Sequence, residues 1–229
     1  MATLDITSGP PEPAWRERAI DRSTRAARVR AATRVQRFLD SAREIIAEKD
    51  STEFGVQEVC DRSKQSLRSF YKCFDGKHGL LLALFEEEID TTMTSLRAAA
   101  VEGDPLDRLQ VAVVALYEQT TLRSGSTVRP LFFDFAQRLM RDHADEVFVA
   151  FAPLFDYVVS IVEDAAGAGL LRPGRPRRLT TMVMQVATAT AQRIQAGSTS
   201  SAHPITSDEV WDFCLHAIAP DDVLATRER

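Results

Sequence analysis

The chain has little of what marks a catalytic, secreted or membrane protein. Its three cysteines, Cys60, Cys73 and Cys214, are odd in number and scattered. That argues against a disulfide framework or a zinc site and suits a reducing cytoplasm. No apolar run approaches the roughly eighteen residues that a membrane helix needs, and the longest candidate is VAVVAL at 111–116. The first fifteen residues lack a cationic start followed by an apolar core, so no secretory signal is expected. No Gly-rich phosphate loop, G-x-S-x-G or H-E-x-x-H occurs. His78, His143, His203 and His216 stand apart from any cysteine or paired carboxylate at ligand spacing. Glu86, Glu87 and Glu88 point to three sides of one helix and cannot converge on an ion. The expectation is a non-enzyme with no metal, no cofactor and no membrane partner, located in the cytoplasm.

What is present suits a globular protein. In 229 residues, 45% are hydrophobic and 27% charged, enough for a proper apolar core. The charge is uneven: residues 1–80 carry 15 basic and 12 acidic side chains, a net of +3, while the remainder carries −8. An acidic body behind a basic head weakens non-specific adhesion to nucleic acid and leaves affinity to the head.

No strand pattern and no internal repeat is found, and apolar residues recur at helical spacing. Residues 1–14, with Gly9, Pro10, Pro11 and Pro13, are expected to be disordered. The Arg-rich stretch from Trp15 to Arg37 can be helical, and reads either as an arm touching phosphates or a minor groove, with Arg28 in that role, or as a solvated extension. Helices are then expected over 33–48, 77–100, 105–122, 128–140, 144–166 (with Pro153 kinking or splitting it), 176–196 and 207–219, the last capped by Ser207.

The sharpest signal lies at 56–74, VQEVCDRSKQSLRSFYKCF. Val56, Val59 and Cys60 give one side of a short first helix to the core. Ser63-Lys64-Gln65-Ser66 interrupts the rhythm, with Ser66 suited to cap the next helix. Leu67, Phe70, Tyr71 and Phe74 form the stripe of that second helix, leaving Arg68, Ser69 and Lys72 opposite. Two short helices joined by such a turn describe a helix-turn-helix, whose second helix fits a major groove. Arg68 and Gln65 are candidates for base-edge contact. Lys72, Lys77 and Tyr71 are candidates for phosphate positioning, with Lys64, Ser66 and Ser69 beside them.

Val56-x-x-Val59-Cys60, Tyr71-x-x-Phe74 and Asp75-Gly76-Lys77-His78-Gly79-Leu80-Leu81, with the apolar helix before them, resemble the DNA-binding segment of TetR-type transcriptional regulators over roughly residues 33–90. Two departures stand in the turn. Ser63-Lys64 replaces the family's usual Ala-Gly, and Arg68 replaces a small residue. A left-handed backbone at Lys64 would cost about 1 kcal/mol relative to glycine.

The resemblance implies an all-α chain with three parts: an arm at 1–28, a three-helix helix-turn-helix DNA-binding domain at 29–80, and a helical ligand-binding and dimerisation bundle at 81–229. It further implies a ligand-responsive repressor on palindromic operator DNA, a small apolar or aromatic inducer, and a homodimer. The other readings are an activator using the same head, or a helical ligand-binding protein whose head has lost its site through Lys64 and Arg68. Leu116, Tyr117, Phe132, Phe133, Phe135, Phe151 and Phe155 are the candidate pocket wall. Met182, Val186, Thr190, Trp211, Leu215 and Ile218 are the candidate dimer face.

Overall fold

The computed structural model describes residues 14–99, 103–121, 131, 135–195 and 204–227. Among these, helices and turns account for the whole architecture, as the sequence predicts.

Helix α1, Ala14–Lys49, is 36 residues long, so the expected arm and the first domain helix are one element. Its side chains from Thr24 to Thr33 are all exposed, whereas Phe38, Leu39, Ala42, Ile45 and Ile46 are buried. The change marks where α1 meets the head. Asp50, at φ 46°, ends it. Helix α2 (Val56–Ser63) buries Val59 and Cys60, and one turn of helix α3 (Leu67–Phe70) follows. Backbone bonds from Tyr71 N to Leu67 O and from Phe74 N to Phe70 O carry the turn on to Phe74. The head closes on an aromatic cluster. Phe38 stands edge-on to Phe70 at 5.3 Å and to Phe74 at 6.2 Å.

Gly76, at φ 99°, turns the chain into helix α4, Lys77–Ala99. A side chain there would be strained, which is why glycine occupies the turn. Helix α5 (Pro105–Thr121) is central to the body and packs on α4, on helix α7 (Ala144–Gly167), on helix α8 (Pro176–Gln195) and on helix α9 (Ser207–Ile218). Helix α6, Ala136–Asp142, overlaps the expected 128–140 and runs two residues past its end; Leu131 and Phe135 are also helical, and the rest of 128–134 lies outside the described residues. Pro153 lies inside α7 without splitting it. The cap of α9 is Thr206, not Ser207. Thr206 accepts from Glu209 N–H, and the Glu209 carboxylate accepts from Thr206 N–H, a reciprocal capping box that Ser207 lacks the spacing to make.

A short helix α10, Asp221–Arg227, was not anticipated. It is tied to the start of α5 by Arg227, which bonds Asp107 at 2.9 Å and also Asp104. Burial pushes the Asp104 carboxyl up, but the Asp107 N–H, Arg227 and the Leu106 N–H outweigh it and hold the group below its usual value. A depressed carboxyl stabilises the fold above its unfolded value, near 4, and that contribution is lost as pH falls through the folded one. Acidification is therefore expected to release α10 first, seen as early hydrogen exchange of the amides of residues 222–227.

The buried apolar side chains form one continuous cluster running from Phe38 in the head to Ile218 in α9.

Candidate nucleic-acid interface and ligand cavity

The five basic residues around the turn divide into two groups. Arg62 is bound inward, to Glu48 at 2.5 Å and Glu44 at 3.8 Å, and its hydrogen bond holds the Glu48 carboxyl below its usual value. Lys77 lies 3.7 Å from Glu53 and over the Phe54 ring at 4.8 Å. The lysine at the start of α4 is thus already countered within the chain, which offsets its unfavourable place at a helix N-terminus. Lys64, Arg68 and Lys72 are exposed and make no ion pair among the described residues. They are the cations the head presents outward.

Lys64 closes α2 in the left-handed conformation, φ 55° and ψ 38°, and Gln65 N donates to Cys60 O at 3.0 Å across it. The strain at Lys64 is thus realised. Lys64→Gly is expected to stabilise the head by about 1 kcal/mol while weakening DNA binding, two opposite shifts readable from urea unfolding and from a titration with DNA.

Ser66 accepts from Ser69 N at 3.2 Å and donates to Ser69 Oγ at 3.0 Å. Its hydroxyl is therefore taken up by the cap, leaving Ser69 the freer of the two. Gln65 is half-buried. Tyr71 is 61% exposed with its ring edge-on to Phe70, and Leu67 is 41% exposed. The expected buried stripe narrows to Phe70 and Phe74, because a single helical turn cannot turn four positions inward. Leu67 joins the outward face, which sequence reasoning missed; an aliphatic tip there suits a thymine methyl. Arg28 is exposed on the free part of α1, away from the core.

In the body, a cavity of about 660 Å³ opens between α6, α7 and α8. Phe151 and Phe155 line it as expected. Leu116, Tyr117 and Phe135 do not: they are buried around α5 and α4, with Tyr117 donating to Ile205 O and Phe135 set against Phe85 and His78. Phe132 and Phe133 lie outside the described residues. Phe148, from the same run of phenylalanines, lines it too; the missed lining includes Met140 and one face of α8: Arg177, Thr181, Gln185, Thr188 and Gln192. The signal was available as polar residues at spacings of four, four, three and four along α8.

Helix α6 bears on both regions. Met140 faces the cavity, while Arg138 donates to Glu53 Oε1 and to the buried Thr52 hydroxyl, each at 2.5 Å. Glu53 therefore serves Arg138 from the body and Lys77 from the head, and the Arg138 hydrogen bond followed by the Lys77 charge holds its carboxyl low. Beside it, the His78 ring bonds Glu146 at 2.7 Å across the α4–α7 contact.

No family model and no curated protein matches the chain. Solved structures do. A transcriptional regulator from Saccharomonospora viridis, in complex with choline, superposes with a TM-score of 0.66 at 14% identity, covering 82% of this chain and 99% of that one. A TetR-family transcriptional regulator from a Rhodococcus species gives 0.64 at 15%, covering 81% and 96%. The fold is that of the TetR-family regulators. FadR from Bacillus subtilis, in complex with stearoyl-CoA, superposes at 0.60 with 12% identity, covering 79% and 97%.

Within this TetR-type body, the residues expected at a dimer face separate. Trp211, Leu215 and Ile218 are buried in the chain's own core, Trp211 with 6% of its surface exposed. Met182 is 61% exposed, with Val186 and Thr190 half-buried on the same side of α8. Phe213, which the sequence analysis did not single out, is 64% exposed on α9. None of the helices among the described residues is long and apolar enough to cross a membrane.

Proposed function

We propose that the chain is a ligand-responsive transcriptional regulator that binds palindromic operator DNA as a homodimer. It acts as a repressor, and a small apolar or aromatic inducer in the α6–α7–α8 cavity releases it. The observation that carries the reading is the sorting of charge on the head. Arg62 and Lys77 are neutralised within the chain, while Lys64, Arg68 and Lys72 face outward around a one-turn helix with no ion pair among the described residues. Cations held in the open with no structural partner suit phosphates and base edges. Two structures of this fold are bound to small molecules, stearoyl-CoA and choline, which supports a ligand in the body. The pairing of copies rests on the exposed Met182 and Phe213 and on the two-fold symmetry of a palindromic site.

Release requires the ligand to favour one arrangement of head and body over the other. Arg138 is placed to transmit that preference, since α6 bears both it and cavity residue Met140. Arg138→Ala is expected to leave operator affinity within about threefold while abolishing its dependence on inducer, a coupling typically of ~1–3 kcal/mol. Titrations of operator with and without ligand read both quantities.

The reading as a whole is tested by binding the protein to a labelled fragment from upstream of its own gene, at two salt concentrations and against competitor DNA. A competitor-resistant complex is expected; binding that competitor abolishes would overturn specific recognition.

A further inference from the structure

Two unlike walls face each other across the cavity. On α7, Phe148, Phe151 and Phe155 recur at three and four residues and form an aromatic ladder about 10 Å long. Opposite, α8 offers Thr181, Gln185, Thr188 and Gln192. The hydroxyls of Thr181 and Thr188 donate back to the carbonyls of Arg177 and Met184, each at 2.8 Å, so their oxygens are left to accept from the cavity side. The carboxamides of Gln185 and Gln192 have no hydrogen-bond partner among the described residues and can both donate and accept. At one end Arg177 is satisfied already, bonded to Asp156 at 2.8 Å and resting over the Phe155 ring at 4.9 Å. Among the described residues no carboxylate lines the cavity.

The geometry points to an elongate, flat, neutral aromatic ligand with hydroxyl or carbonyl groups along one edge, of the polyphenol or aromatic-ketone class. Its ring faces lie on the Phe148–Phe155 ladder and its polar edge on the α8 stripe. This deepens the reading of the cavity as the regulator's ligand site and rests on it. A flat ring system gains from edge and face contact with the phenylalanines, and phenolic groups stay neutral near pH 7. A saturated acyl chain would fill the same volume but strip water from two carboxamides and two hydroxyl oxygens without replacing their hydrogen bonds. A quaternary ammonium ligand would find rings but no counter-charge, since Asp156 is engaged by Arg177. An anion gains little from an arginine already paired.

The test uses the full chain and three probes in calorimetric titrations: apigenin for the proposed class, palmitate for the acyl chain and choline for the cation. Apigenin is expected to bind once per chain and more tightly than either other probe. The double variant Gln185→Leu with Gln192→Leu is expected to weaken apigenin by about tenfold or more without weakening palmitate. Gln185 is exposed and Gln192 half-buried at the open cavity wall, and an unchanged circular dichroism spectrum shows that the variant is folded. Tighter binding of palmitate or choline, apigenin binding that ignores the double substitution, or no apigenin binding up to its solubility limit would each overturn the proposal. The same titrations repeated on the operator complex separate it from the broader reading: apigenin that binds the cavity but leaves the DNA complex intact supports the ligand class and counts against ligand-controlled DNA binding.

Discussion

Phe38→Ala is expected to cost about 3–5 kcal/mol, enough to unfold the head of a domain with ordinary stability. The ring is fully buried and stands edge-on to Phe70 and Phe74, so its loss removes apolar burial and two aromatic contacts together. The cluster joins α1 to the stretch from α3 to Phe74, and a void there cannot be filled by the one-turn α3 sliding inward. The measurement is the urea midpoint followed by far-ultraviolet circular dichroism, with hydrogen exchange to locate the loss. Phe148→Ala is the matched control: its ring is 62% exposed on α7, and a change within about 0.5 kcal/mol is expected there. Equal losses at both positions would mean that the aromatic cluster does not organise the head.

The second large effect falls on DNA. Arg68→Ala should weaken operator binding by about 1–3 kcal/mol, roughly ten- to a hundredfold, and relax preference at the base pair it reads. Its guanidinium is exposed and pairs with nothing among the described residues, so removing it leaves the fold almost unchanged. Lys72→Ala should act differently, weakening all sequences alike and lowering the salt slope by about one. Arg62→Ala separates the roles further. Because Arg62 braces α2 against Glu48 on α1, its loss should loosen the head without changing which base pairs are preferred.

Much of this head was legible in the sequence, because local rules decide it. The Val56–Val59–Cys60 spacing, the Ser66 cap and the Asp75-Gly76 turn each rest on a few neighbouring residues, and the structure places them as predicted. Leu67 and Tyr71 escaped because periodicity assumes a helix long enough to have a buried side. The body was less legible, since burial there depends on which of several apolar faces meets which neighbour. Phe135 is as apolar as Phe151, yet only Phe151 reaches the cavity. Trp211 looked like an anchor for a partner and instead fills its own core, while Met182 and Phe213 remain outside. The polar stripe on α8 was dissolved in a count of apolar positions. Arg138 gave no local signal, for its partners Thr52 and Glu53 are more than eighty residues away.

The unbroken course of α1 has a consequence for how an arm works. A basic tail that is disordered must give up conformational freedom when it meets DNA, and it meets it anywhere within reach. Here Arg25, Arg28 and Arg30 ride on the same rigid rod that carries Phe38 into the head. From Ala14 to Thr33 the rod spans about 30 Å, close to nine base pairs of duplex. If the head docks on DNA as proposed, these arginines would stand where the rod puts them, and α1 would act as a ruler set against the double helix rather than as a tether.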